Sequence, residues 1–275
     1  MRNRDRQLRP FRMDLHVHTA LSPCASEEMT PPAITAAARE KGLDVIAVCD
    51  HNTAGNVAAV REAADAAGGQ PFVIAGIEIS TAEEVHVLGL FPNVAAAERA
   101  AARVTALLPR TVDLFPGHRR RYQTYFGEQT LLDARGRARG EERAALALAT
   151  SLSLAAAVAL IHHEKGVAVA AHIDRPSYSV YSQLGLFPKE AGFDGAEVSR
   201  HLEEGSPRSE EFAALGLPLL RGSDSHFLAE LGTVFSLAWM AEPSFTEFVL
   251  CLAGTGGRRL ESPLAAREQG KHDHA

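Results

Sequence analysis

A chain of 275 residues suits one large α/β domain better than several small ones, and 46% hydrophobic with 23% charged residues is ordinary for a globular core. A net charge of -6 argues against a general nucleic-acid coat, which would favour a basic surface. No apolar run is long enough to span a bilayer, and Cys24, Cys49 and Cys251 do not form a disulfide framework, so a reducing cytoplasm is the expected setting.

Residues 2–9 are charged and aperiodic, which predicts a loose arm before a first strand over 13–18. Thr30-Pro31-Pro32 reads as a helix start, with Thr as N-cap and Pro in the first turn, and Gly42 is placed to end that helix. The continuous apolar run Val45-Ile46-Ala47-Val48-Cys49 predicts a strand buried on both faces, and a helix over 55–67 follows. Strands are expected over 72–79 and 85–90. Repeated strand–helix–strand units imply parallel strands with helices outside them.

The stretch 108–143 interrupts this rhythm. It carries Arg119, Arg120, Arg121, Arg135, Arg137 and Arg139 with Tyr122, Tyr125 and Phe126 among them. It reads either as a solvated insertion or as a lid whose arginines meet an anionic substrate. Alternation then resumes. Helices are expected over 141–149 and 154–165, the second capped by Ser151 or Ser153, and strands over 167–171, 195–198 and 235–239. Helices over 207–215 and 244–253 complete a single domain ending near 262, and the polar tail 263–275 reads as disordered.

His16 and His18 sit two residues apart on the first strand, so they share one face. His51, His172 and His226 likewise fall at or just past predicted strand ends, as do Glu78 and Asp224, while His86 lies within a strand. In a parallel barrel those ends converge on one rim. Neutral imidazoles with carboxylates suit Zn, Mn or Fe better than Ca or Mg, and a Glu that can bridge suggests two or three ions. Such a cluster acidifies a bound water and clamps phosphoryl oxygens. His162 and His163 lie near a helix C-terminus, where cationic side chains are favourable anyway. His118 belongs to the Arg-rich stretch, His272 and His274 to the tail, and His201 follows a predicted strand end without a clear role.

The ordered set Asp14-Leu15-His16-Val17-His18-Thr19, Cys49-Asp50-His51-Asn52, Gly76-Ile77-Glu78, His86, Ala171-His172 and Ser223-Asp224-Ser225-His226 resembles the PHP (polymerase and histidinol phosphatase) family of metal-dependent phosphoesterases. The resemblance implies a distorted (β/α)7 TIM-like barrel carrying the Arg-rich segment as an insertion. It also implies a di- or trinuclear centre at the C-terminal rim. His16, His18, Glu78 and Asp224 would bind one metal, Glu78 with His86 and His172 a second, and His51 with His226 a third. The family often adds a His or Asp from the loop after its first motif. Here that loop reads Ala20-Leu21-Ser22-Pro23-Cys24-Ala25, and Cys24 is its one good ligand, favouring Zn or Fe.

Arg175, close to His172, is expected to grip phosphate oxygens or else to form a salt bridge with Asp174 or a neighbour. Asp50 is expected to orient a ligand rather than bind metal. Glu197 and His201 could line the mouth. The leading expectation is a phosphatase acting on a small phosphorylated metabolite or nucleotide, with Arg175, Asp224 and His226 nearest the chemistry. A nuclease trimming short oligonucleotides shares that centre. An amidohydrolase-type deaminase fits less well, because it typically ends on a lone Asp and often bridges its metals with a modified lysine. A metal-bearing interaction domain ranks lowest.

Overall fold

The computed structural model describes residues 7–115, 119–203 and 205–261. The chain opens with β1 (Arg9–Val17), α1 (Pro31–Glu40), β2 (Val45–Val48), α2 (Val57–Ala66), β3 (Phe72–Ser80) and β4 (His86–Phe91). Next come α3 (Val94–Thr105), α4 (Thr111–Leu114), α5 (Arg119–Phe126), β5 (Thr130–Leu132) and β6 (Ala138–Glu141). The second half holds α6 (Leu154–His163), β7 (Val167–Ala170), α7 (Val180–Leu184), β8 (Gly195–Val198), α8 (Pro207–Ala213) and β9 (Leu219–Arg221). It closes with β10 (Ser236–Met240), α9 (Phe245–Leu252) and β11 (Arg259–Leu260).

One nine-stranded sheet runs in the order β11-β10-β1-β2-β3-β4-β7-β8-β9. Its far edge curls back to its start. The segment after β9 pairs with β1 through a parallel bridge between Val17 and Ser225, where Ser225 N–H donates to His16 O at 3.2 Å and His18 N–H to Ser225 O at 3.0 Å. The sheet is therefore a nearly closed, TIM-like barrel, with β10 and β11 attached outside the N-terminal half of β1.

Three expectations change. The strands are not all parallel: β4 runs antiparallel to both β3 and β7, because residues 81–85 are too few for a crossover and make a hairpin instead. The first strand begins at Arg9 rather than Met13, because residues 9–12 extend β1 to pair with β10. No helix forms over 141–149. Glu141 ends β6, and Arg110 bridges Ala144. The carbonyls of Leu146 and Leu148 then accept from Asn52 Nδ2, both at 3.0 Å, and Gln129 Nε2 donates to the Glu142 and Ala144 carbonyls. Tertiary partners have replaced the bonds a helix would make. The tail 263–275, His272, His274 and His118 lie outside the described residues.

Alternation along the strands separates two apolar layers. Val45 and Ala47 face the barrel interior with Phe11, Met13, Leu15, Ile74, Leu88, Leu90 and Val169, and α9 adds Phe248. Ile46, Val48, Val73, Ala75 and Ile77 face outward against the helices. The interior layer plugs the barrel floor, as the filled core of such barrels requires. Helix starts follow local chemistry: Asn93 caps α3 by accepting from Ala96 N–H at 3.0 Å, and Ser153 caps α6.

Candidate metal centre

The floor's own strands also build the mouth. Leu15 packs in the interior layer but Val17 in the outer one. The pairing of β1 with β2 is irregular between Asp14 and Val17. That step switches the facing, so His16 and His18 turn into the mouth above the Phe11–Met13–Leu15 plug. Glu78 shares the inward face of β3 with Ile74 and Gly76. A Cβ on Gly76 would lie 2.5 Å from Cys49 Sγ and 2.8 Å from Val48 O, so only glycine lets β2 and β3 approach beneath Glu78.

Five imidazoles surround the fully buried Glu78 carboxylate. Its Oε1 lies 2.8 Å from His86 Nδ1, 3.2 Å from His172 Nε2 and 3.4 Å from His16 Nε2. Its Oε2 lies 2.8 Å from His51 Nδ1 and 3.5 Å from His18 Nε2. Asp224 Oδ1 completes one side, 3.2 Å from His18 Nε2 and 3.4 Å from His16 Nε2. His226 stacks on His18 with ring centroids 4.1 Å apart, and Cys24 Sγ sits 3.2 Å from His51 Nε2. His172 and Asp224 both adopt left-handed backbone, at φ 27° and 49°. Non-glycine residues hold that conformation at a cost, and such strain clusters at functional sites.

The electrostatics follow from this crowding. Burial would push the Glu78 carboxyl up, yet His86, His16 and His51 hold it well below the usual carboxylate range. Burial likewise opposes charge on His16 and His51, but Glu197, Asp224 and Glu78 raise the first well above its ordinary value, and Glu78 and Cys24 raise the second. His18 goes the other way, held well below its ordinary value by burial and by the neighbouring His226 charge. The Cys24 thiol comes down to about 6, because hydrogen bonding to His226 and His51 outweighs its desolvation.

A model of the PHP domain matches residues 14–203, about two thirds of the chain and most of this site. The chain belongs to the PHP domain family. Over 80 residues it is 36% identical to the 5'-3' exoribonuclease Rnm of Escherichia coli K12, a match covering 28% of this chain and 26% of that protein. Among solved structures, the lesion-specific endonuclease Q of Pyrococcus furiosus aligns with TM-score 0.63 and 19% identity, over 92% of this chain but 58% of its own. A Bifidobacterium adolescentis protein assigned as a metal-dependent phosphoesterase aligns with TM-score 0.57 and 22% identity, over 87% and 96%. These structural likenesses establish a shared fold.

The PHP mouth fits divalent ions on its own chemistry. Three overlapping sets bring ligand atoms within 4.8 Å of one another: His16, His18 and Glu78; His51, Glu78 and His86; His18, His51 and His226. His16 Nε2 and His18 Nε2 face each other at 3.1 Å, an arrangement of two basic nitrogens that a shared ion resolves. His51 Nδ1 and Glu78 Oε2, 2.8 Å apart, each lack a hydrogen bond of proper angle, and His172 Nδ1 is also buried without a partner. Ion binding would replace the protons that now neutralise the carboxylates.

The sequence placed Glu197 at the mouth without a role and held no sign of most of the scaffold behind the PHP histidines. Glu197, inward-facing on β8 and buried, reaches His16 Nδ1 at 3.0 and 3.2 Å and accepts from His172 N–H. Its signal was a carboxylate inside the apolar strand Gly195-Ala196-Glu197-Val198. Gly222 makes room for it: a Cβ there would lie 2.5 Å from Glu197 Oε2. Ser22 links His18 Nδ1, at 2.9 Å, to Asp50, which also accepts from Thr19 N–H and Oγ1 at 2.7 Å. Asp50 was expected to orient the adjacent His51, and its hydrogen bonds instead reach His18 through Ser22. Asp14 accepts from Ser223 N–H and Gly232 N–H, tying the Asp224 loop to β1.

Arg175 pairs with Asp224 Oδ2, not with Asp174, which instead holds Ser199. Of the Arg-rich segment, the aromatics reach the site. Tyr125 and Phe126 line the cavity beside His51 and His86, whereas no arginine with a described side chain does, and Arg137 is spent on Asp133. His162 pairs with Asp194 and His163 with Glu164, away from the cluster, and His201 is exposed beside Arg200.

Proposed function

We propose that this PHP-family, metal-dependent hydrolase cleaves a phosphate ester of a small metabolite or nucleotide. The observation that carries the reading is the central Glu78 carboxylate, flanked by five imidazoles and Asp224, with the Arg175 guanidinium at its lip. His16, His18, Cys24, His51, Glu78, His86, His172, Asp224 and His226 would hold two or three Zn, Mn or Fe ions. Such ions supply positive charge for phosphoryl oxygens and an acidified water near neutral pH.

The remaining work belongs to the chain itself. Arg175 is half-buried, with one nitrogen on Asp224, and its free N–H edge orients the phosphate. Asp224 thereby joins the phosphate-gripping group to the ligand set. His226, two residues on, lines the same cavity as Arg175. Glu197 and Ser22 hold His16 and His18 to one ring orientation each. Deaminase chemistry of the lysine-bridged kind is disfavoured, since the carboxylate central to the imidazoles is Glu78 and, among the described residues, no lysine lines the mouth.

The test combines metal content with a panel of phosphomonoesters and diesters. We expect two or three tightly held ions per chain and turnover of at least one ester class, with His16→Ala losing metal and activity together. Metal-loaded protein that hydrolyses no ester of the panel would overturn the reading.

A further inference from the structure

An imidazole turns easily about its Cβ–Cγ bond, so a ligand ring keeps one orientation only if something holds its plane. A half turn puts a C–H group where Nδ1 stood, and carbon binds no ion. Most rings of the cluster are held by hydrogen bonds. His16 Nδ1 meets Glu197 at 3.0 Å, His18 Nδ1 meets Ser22 Oγ at 2.9 Å, and His51 Nε2 meets Cys24 Sγ at 3.2 Å. His226 Nδ1 donates to the Asp224 carbonyl at 2.9 Å. His172 is enclosed at 2% exposure, with its ring stacked on that of His16. His86 differs from all of these. Its Nδ1 faces Glu78 Oε1 at 2.8 Å, but its Nε2 has no hydrogen-bond partner among the described residues, and the ring borders a cavity of about 490 Å³.

What lies flat against His86 is Tyr178. The two planes are 14° from parallel with centroids 4.7 Å apart, whereas the His51 and His172 rings meet His86 edge-on, at 60° and 63°. His86 N–H also donates to the Tyr178 carbonyl at 2.9 Å. Tyr178 is itself fastened at a cost. Its backbone is left-handed, at φ 58°, which a tyrosine enters unfavourably. The next residue, Ser179, closes a capping box with Ser182 at the start of α7 and donates from Oγ to the Arg175 carbonyl at 2.8 Å. Arg175 N–H in turn donates to His172 O at 2.9 Å. The turn from His172 to Ser179 is thus one piece. A turn that needed only left-handed backbone would be better served by glycine or asparagine. The strained position instead carries the ring that covers His86.

Resting on the reading of His86 as a metal ligand, we infer that Tyr178 is a positioning residue of the centre. Its ring fixes the plane of His86 so that Nδ1 stays on the Glu78 side. Stacking does here what hydrogen bonds do for His16, His18 and His51. His86 belongs to β4 and the turn follows β7, so this one stack ties His86 to the piece that carries His172 and Arg175.

The test titrates protein loaded with Zn²⁺, and in parallel with Mn²⁺, against a chelator, and follows thermal unfolding of the metal-free protein. Tyr178→Asn removes the ring but keeps a side chain that tolerates left-handed backbone. It should weaken one bound ion about tenfold and leave unfolding close to that of the parent. Tyr178→Phe keeps the ring and should restore the parent's affinity. An Asn variant that holds every ion as tightly as the parent overturns the inference, as does a Phe variant that loses as much as Asn. A loss of affinity that only follows earlier unfolding overturns it too. Each of those outcomes leaves the phosphoesterase reading standing. A parent that binds neither ion overturns both. The expected loss in the Asn variant, together with a parent that hydrolyses no ester, keeps this inference and removes the phosphoesterase reading.

Discussion

The floor and the mouth of this barrel are built from the same strands, a few residues apart, and obey opposite rules. Met13, Ile74, Leu88 and Val169 fill the floor with apolar volume. His16, Glu78, His86 and His172 stand above them, and the mouth fills with buried polar groups that do not satisfy one another fully. Burying such groups costs stability unless they are paired or coordinate metal. The floor's packing offsets that cost, and the mouth keeps its groups poised for a ligand. Stability and function are stacked in one barrel.

That contrast can be broken or sharpened by substitution. The largest effect is expected from Glu78→Ala, which removes the carboxylate every neighbouring imidazole faces. Ester hydrolysis should fall on the order of 1,000-fold with loss of bound metal, while thermal stability of the metal-free protein changes little. Met13→Ala should do the reverse. Truncating this fully buried side chain should cost about 2–5 kcal/mol in denaturant unfolding, with turnover per folded molecule retained. If Met13→Ala instead abolishes metal binding in folded protein, floor and mouth are not separable.

Smaller changes probe the scaffold between them. Gly222→Ala places a Cβ 2.9 Å from His16 Cβ and against Glu197, and should weaken metal binding at least as much as Glu197→Gln does. Glu197→Gln should lower metal affinity about 10- to 100-fold, measured by competition with a chelator, with near-normal unfolding. Asn93→Ala, which uncaps a helix outside the barrel, should cost about 1 kcal/mol and leave metal affinity alone.

Much of the mouth was legible in the sequence because strand ends are local features. His16, His18, His51, Glu78, His172 and Asp224 each follow or end a short apolar run, and a barrel brings such ends together whatever the loops do. The continuous apolar run of β2 likewise announced a strand buried on both faces. The irregular parts were not legible. The stretch 141–149 has helical composition, but Asn52 and Gln129 claim its backbone from afar, and no local window contains them. Glu197 was expected only to line the mouth, and its hold on His16 emerges once β8 lies beside β7. Tyr178 gave no sign, since its role depends on the plane of His86.

The seam between Val17 and Ser225 has a consequence for the order of events during synthesis. It joins the first strand to a segment made some two hundred residues later, and the bond from Ser223 N–H to Asp14 spans 209 positions. A nascent chain that has emerged only through β8 already carries six of the eight histidine and carboxylate donors, yet its first strand still lacks Asp224 and the loop that fixes its register. The early ligands cannot gather ions in their final arrangement until the late strand arrives. On the proposed ligand set, metal loading would be coupled to completion of the barrel, so a stalled or truncated chain would be denied a working centre.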